Sequence, residues 1–165
     1  MPNSTLYPSV DPVRLRRATA ADIPKMSELE HQADSAAHWS VAQDDALFAP
    51  DAQARVALIA VGESADTPII GFLMARCLPD EWEIENVVVD EPYRKRGVGS
   101  CLVRELMAEA RPAGAVSVTL EVRESNRPAI LLYENIGFKR EGRRKDYYRD
   151  PTEDALLYRI KIADL

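Results

Sequence analysis

The passage from Val87 to Gly137 restricts the fold most. Three valines, Val87-Val88-Val89, lead through Asp90-Glu91-Pro92-Tyr93-Arg94-Lys95-Arg96 straight into Gly97–Arg111, whose Val98, Leu102, Leu106 and Ala110 fall on one helical stripe. Pro112 and Gly114 stop that helix. Ala115–Arg123 then alternates with period two: Val116, Val118, Leu120 and Val122 point one way, Ser117, Thr119 and Glu121 the other. A second helix, Asn126–Ile136, ends at Gly137, the residue type that accepts the left-handed backbone of a C-terminal cap. A strand, a helix and a strand in this order predict a parallel pair joined by a crossover. The expected class is α/β with a mixed sheet.

The first half has a different rhythm. Val13–Arg17 reads as a short strand, and Asp22–Ala33 as a helix with Ile23, Met26, Leu29 and Glu30 at helical spacing and Pro24 tolerated in its first turn. Ser40 is suited to cap another short helix. Arg55–Val61, Ile69–Leu78 and Trp82–Val89 are apolar or β-branched runs separated by turn residues, which predicts an antiparallel meander. Two further strands are expected near Phe138–Glu141 and Ala155–Ile162. Residues 1–12 lack periodicity and read as a flexible N-terminal tail, leaving 13–165 as one domain. A chain of 165 residues is long enough to bury roughly 70% of its unfolded surface.

Composition removes several classes. With 46% hydrophobic and 29% charged residues, neither a disordered chain nor a disulfide scaffold fits. No apolar run is long enough to span a bilayer and no secretion signal follows Met1, so a cytoplasmic protein without a membrane partner is expected. Cys77 and Cys101, the only cysteines, have no metal-ligand spacing, and no metal is expected. The net charge of −6 argues against direct nucleic-acid binding. The charge is uneven, however. Asp22, Glu28, Glu30, Asp34, Asp44, Asp45 and Asp51 form an acidic stretch around the single base Lys25, whereas 139–149 holds six bases. The acidic stretch offers attraction to a cationic partner.

Two segments carry chemistry. In the first, the start of the Gly97 helix presents unpaired amides and the positive end of the helix dipole. Gly97 and Gly99 allow close approach, and Arg94, Lys95 and Arg96 add charge, so Arg94–Ser100 suits a phosphate. The spacing is neither that of a P-loop nor that of a dinucleotide fingerprint. In the second, Glu121 is the acid on the polar side of an otherwise apolar strand. Asn126, Ala129 and Tyr133 share a face of the next helix, with Asn126 also suited to cap it.

These residues resemble the GNAT superfamily of acetyl-CoA-dependent N-acetyltransferases. Arg94-x-x-Gly97-x-Gly99 matches that family's pyrophosphate motif, and Asn126, Ala129, Leu132-Tyr133 and Gly137-Phe138 match its second cofactor-side motif. Within it, Leu120-Glu121-Val122-Arg123, Arg144-Lys145-Asp146-Tyr147-Tyr148 and Glu153-Asp154-Ala155-Leu156 are similar to the bacterial ribosomal-protein alanine N-acetyltransferases. His38-Trp39-Ser40 resembles their Pro-Trp-Ser, with His in place of Pro.

The resemblance implies a single-domain fold: a mostly antiparallel mixed sheet with a splayed parallel strand pair, flanked by helices. It implies acetyl-CoA as co-substrate, with the backbone of Val87, Val88 and Val89 along the pantetheine. Arg94 and the amides of Lys95, Arg96, Gly97, Val98, Gly99 and Ser100 would hold the pyrophosphate, and Asn126 the cofactor's arm. Glu121 would be the general base and Tyr133 the general acid, with Glu83 and Glu85 as rival bases. The implied reaction is direct attack, in a ternary complex, by the N-terminal alanine amine of a basic small-subunit ribosomal protein. The alternatives are another amine (other protein N-termini, a lysine, a polyamine, a small molecule) or a non-catalytic acetyl-CoA sensor.

Overall fold

The computed structural model describes residues 13–33, 54–62 and 68–164. The tail expected at 1–12 and the helix expected after Ser40 lie outside these residues. Seven strands form one sheet in the order β1-β2-β3-β4-β5-β7-β6. They are β1 (Arg14–Arg17), β2 (Arg55–Val61), β3 (Ile69–Cys77), β4 (Glu81–Val89), β5 (Ser117–Arg123), β6 (Lys139–Arg149) and β7 (Thr152–Lys161). All neighbours are antiparallel except β4 and β5, the pair joined through a helix. The α/β class, the meander and the parallel crossover are as the periodicity predicts.

Among the described residues three helices cover the sheet: α1 (Ile23–His31), α2 (Val98–Ala110) and α3 (Arg127–Ile136). On one face, α1 buries Met26 and Leu29 against Ala57, Ile59, Phe72, Met74 and Val88. On the other, α2 and α3 share a larger core with Leu58, Leu73, Trp82, Ile84, Leu120, Val122 and Tyr158. The α2 stripe is as expected and is widened by Val103 and Met107, both buried. Gly137 ends α3 at φ 115°, and its amide donates to the Tyr133 and Glu134 carbonyls.

Two expectations change. Val116 was expected on the inner side of β5, yet the strand begins at Ser117 and Val116 is 61% exposed. The sixth strand is far longer than Phe138–Glu141: it runs to Arg149 despite its charge. As the sheet's last strand it has β7 on one side only, and basic residues on such an edge are compatible with pairing while discouraging further addition.

The acidic stretch is partly engaged in the fold itself. Asp22 accepts from both Arg16 Nη atoms, each at 2.9 Å, and from the Thr19 amide at 2.7 Å. The Arg16 hydrogen bonds, opposed by burial and helped by Thr19, lower its carboxyl to about 2. Glu30 is buried and accepts from Asn86 Nδ2 at 2.7 Å. Asp34, Asp44, Asp45 and Asp51 lie outside the described residues.

Because Asp22 has a depressed native pKa, its contribution is present above the unfolded carboxylate's value and is lost as pH falls through the native one. Urea unfolding should show wild-type stability declining between about pH 4 and about pH 2 from this source. Asp22→Asn should cost on the order of 1–2 kcal/mol at neutral pH, discounted because Arg16 is half in solvent, and should flatten that decline. An unchanged acid slope in the variant would refute the contribution.

Candidate active site

The site begins with an irregularity in β4. Met74 is opposite Asn86 and Ala75 opposite Ile84, so Glu85 is an extra residue, a bulge. Before it, Trp82 and Ile84 face the α2–α3 core; after it, Val88 faces α1, while Val87 and Val89 pack toward α2 and α3. A single inserted residue exchanges the two faces of a strand with period two.

At the same point β4 and β5 part. Their parallel register runs from Glu81↔Ser117 to Ile84↔Leu120 and stops. Beyond it, Val87, Val88 and Val89 pair only with β3, through Leu73, Phe72 and Gly71. The second backbone edge of these three valines therefore opens on a wedge between the strands. The splay expected from the resemblance is present, and the bulge sits at its apex.

At the mouth of the wedge lies Asp90–Ser100. A short 3-10 turn spans Glu91–Tyr93, and Arg94 Nε donates to the Val89 carbonyl at 2.9 Å, fixing the arginine at the strand end. Lys95 and Gly97 both have left-handed backbone, φ 60° and 84°. Gly97 is the N-cap of α2, and the first helical donor to return to it is Cys101, at 3.0 Å. The amides of Val98, Gly99 and Ser100 thus belong to the unpaired first turn, where anions bind. Gly99 has a further reason to be small: a Cβ there would stand 3.3 Å from Leu132 Cδ2 and 3.8 Å from Val89 Cγ2. Its lack of a side chain lets α2 pack closely on α3 and β4.

Asn126 caps α3, its Oδ1 accepting from the Ala129 amide at 3.3 Å. This occupies the carbonyl and leaves the amide nitrogen as the group with donors to offer. Tyr133, on the same helix, is 6% exposed and meets Phe138 edge to face at 5.6 Å. Burial, with a smaller effect from Tyr148, pushes its phenol well above the ordinary range.

Glu121 projects from β5 on the side away from Val122 and pairs with Arg144 Nε of β6 at 2.9 Å. Tyr147 also donates to it, and this hydrogen bond is the main reason the Tyr147 phenol is raised. Burial takes the Tyr148 phenol up to about 12, opposed by the charge of Arg123 and aided by that of Glu121. Arg123 lies 4.0 Å over the Tyr148 ring and 3.5 Å from Glu153.

Sequence reasoning assigned no role to Arg144, Tyr147 or Tyr148. Arg144 and Tyr148 flank a second irregularity that contains Tyr147: β6 pairs at Arg144↔Ala155 and resumes at Tyr148↔Glu153, so Lys145, Asp146 and Tyr147 stand against Asp154 alone. Asp146 has φ 51°, and its amide donates to Asp154 Oδ1 at 2.8 Å, pinning the bulge. The paired tyrosines after a basic run were the available signal.

The rival carboxylates are held by arginines of β3 and β2. Glu83 pairs with Arg76, directly across from it on β3, and Glu85 takes Arg55 Nε and Nη2 at 2.9 and 3.1 Å. Burial raises the Cys101 thiol, which disfavours the thiolate that a nucleophile needs. Among the described residues no helix is long and apolar enough to cross a membrane, and no group of His, Cys, Asp and Glu gathers as metal ligands.

Residues 21–138 match the model of the Acetyltransferase (GNAT) family. The chain is 34% identical over 162 residues to N-alpha-acetyltransferase RimI of Mycobacterium tuberculosis, covering 93% of this chain and 96% of that protein. The crystal structure of the ribosomal-protein-S18-alanine N-acetyltransferase from Escherichia coli superposes with TM-score 0.78 at 26% identity, over 91% of this chain and 94% of that one. Arabidopsis thaliana NAA60 in complex with acetyl-CoA shares the fold with TM-score 0.79 at 19% identity, over 92% and 99% of the two chains. Other relatives are longer: the chain spans 41% of the uncharacterized protein ML0378 of Mycobacterium leprae, at 34% identity over 154 residues. A family match across most of the chain, with a relative 34% identical over nearly its whole length, establishes that the chain belongs to the acetyltransferase (GNAT) family.

Proposed function

We propose that this protein transfers the acetyl group of acetyl-CoA to the N-terminal alanine amine of a small-subunit ribosomal protein. The observation that carries the reading is the wedge between β4 and β5, with the open α2 amides at its mouth and Glu121 on β5 just past the residue where the two strands part. A wedge with one free strand edge fits an extended, amide-bearing pantetheine arm, and the first turn of α2 fits a diphosphate. Arg94, Lys95 and Arg96 add charge there, and Asn126 has its amide nitrogen to offer the arm.

In this reading the amine nitrogen attacks the thioester carbonyl, the C–N bond forms and the C–S bond breaks. Glu121 receives the first proton, lost by the ammonium, directly or through water, and the second, shed by nitrogen once the C–N bond has formed, ends on the departing thiolate. A phenol ordinarily lies about 2 kcal/mol above a thiol in proton affinity, and burial of Tyr133 widens that gap. Tyr133 therefore acts by donating a hydrogen bond to the departing thiolate rather than by surrendering its proton early. This refines the general-acid role that the resemblance implies.

Proton arithmetic and the names of the relatives support this acceptor. Near pH 7 about a tenth of an α-amine with pKa near 8 is neutral, against about one lysine side chain in 2,500. A carboxylate base, weak by nature, suits the former. The E. coli neighbour is named for the alanine of ribosomal protein S18, and the M. tuberculosis relative for α-amine acetylation. Initial rates on a panel test the reading: a peptide beginning with alanine, the same peptide blocked at its α-amine but bearing lysine, and a polyamine. The first should exceed the others by at least about tenfold, as the neutral fractions imply. Preference for the blocked peptide or the polyamine would overturn it.

A further inference from the structure

Glu121 differs from its neighbouring carboxylates in where its counter-ion comes from. Glu83 and Glu85 are held by Arg76 and Arg55, which belong to regularly paired positions of β3 and β2. Arg144 instead is the last paired residue of β6 before its bulge, on the edge strand, and its side chain is 56% exposed against 20% for Glu121. While paired with Glu121, the same guanidinium also lies 5.5 Å over the Tyr147 ring. Tyr147 donates to the same carboxylate, so Glu121 keeps one donor if the arginine leaves.

We propose that Arg144 is a built-in competitor for the acceptor: in the empty site its guanidinium occupies the place at Glu121 that the acceptor's ammonium takes, and the acceptor binds by displacing it. A guanidinium and a primary ammonium satisfy a carboxylate alike, as charged donors at hydrogen-bond distance. An exposed pair of this kind is weak, so exchange is feasible for a cationic amine, which forms a replacement pair. A neutral amine breaks the Arg144 pair and forms none. The contact thereby keeps a reactive carboxylate neutralised until a charged amine arrives. The inference rests on the reading of Glu121 as the proton acceptor.

Steady-state kinetics with an alanine-starting peptide test it on Arg144→Gln, Arg144→Met and Arg144→Lys. The two neutral variants should lower the peptide's KM by about twofold to fivefold, the range an exposed pair allows, with kcat held within about twofold. Arg144→Lys, which retains a charged competitor, should keep a KM close to wild type. Guanidinium chloride should inhibit Arg144→Gln competitively with the peptide, more strongly than sodium chloride at equal ionic strength. A KM that stays the same or rises in both neutral variants, or a kcat that falls with it, overturns the proposal. Glu121→Gln, assayed in parallel, separates the two levels. Full turnover in that variant refutes the base assignment itself. Lost turnover there with unchanged KM in the Arg144 variants refutes only the competitor.

Discussion

Glu121→Gln is expected to lower kcat by about 10²–10⁴ at neutral pH while acetyl-CoA binding is nearly unchanged. The substitution keeps the side chain's size but removes the carboxylate that the proposed reaction uses as proton acceptor. The loss should shrink as pH rises, because the acceptor amine then deprotonates without help. Glu83→Gln and Glu85→Gln serve as comparison, since Arg76 and Arg55 hold those carboxylates in the sheet. Their effects should appear mainly in stability, with kcat changed a few-fold at most. Turnover profiles for the three variants across pH discriminate directly. If Glu85→Gln shows the large pH-dependent loss and Glu121→Gln does not, the base is on β4.

Gly97→Val is the second large effect. Gly97 has φ 84°, a conformation that β-branched residues rarely adopt, so valine there strains the start of α2. Its side chain would also stand at the first-turn amides, on the approach path of a diphosphate. The wild-type protein with acetyl-CoA at 100 times its Kd should gain about 2.7 kcal/mol of stability. In Gly97→Val that gain should vanish. Thermal unfolding with and without acetyl-CoA measures both the strain, as a lower Tm without ligand, and the lost binding, as an absent shift. A folded Gly97→Val protein that is stabilised normally would remove the loop from the cofactor site.

Regular elements were legible because periodicity is local. The α2 stripe, the β5 alternation from Val118 to Val122 and the Gly137 cap each depend on residues within one turn or one pleat. The two bulges that shape the site were not legible. Glu85 looks like any other residue of an alternating strand, and its extra place appears only against Met74 and Ala75 of β3. Lys145–Tyr147 look like a charged turn, and only Asp154, a later residue on the neighbouring strand, fixes them over Glu121. Register is a property of two strands, so neither bulge is written in one. The roles of the candidate residues came from the family resemblance, while the groups that surround Glu121 came from β6, read too short. Within the acidic stretch, Asp22 and Glu30 have partners inside the fold, which charge counting does not see.

The central claim is that this wedge transfers acetyl to an α-amine, and tandem mass spectrometry of a reaction product tests it most directly. The purified protein would be incubated with acetyl-CoA and an unacetylated small-subunit ribosomal protein whose first residue is alanine. The account predicts one added acetyl group, located on the N-terminal nitrogen, and its loss with Glu121→Gln. Acetyl groups on lysine side chains with a free N-terminus, or no transfer to any amine, would contradict it.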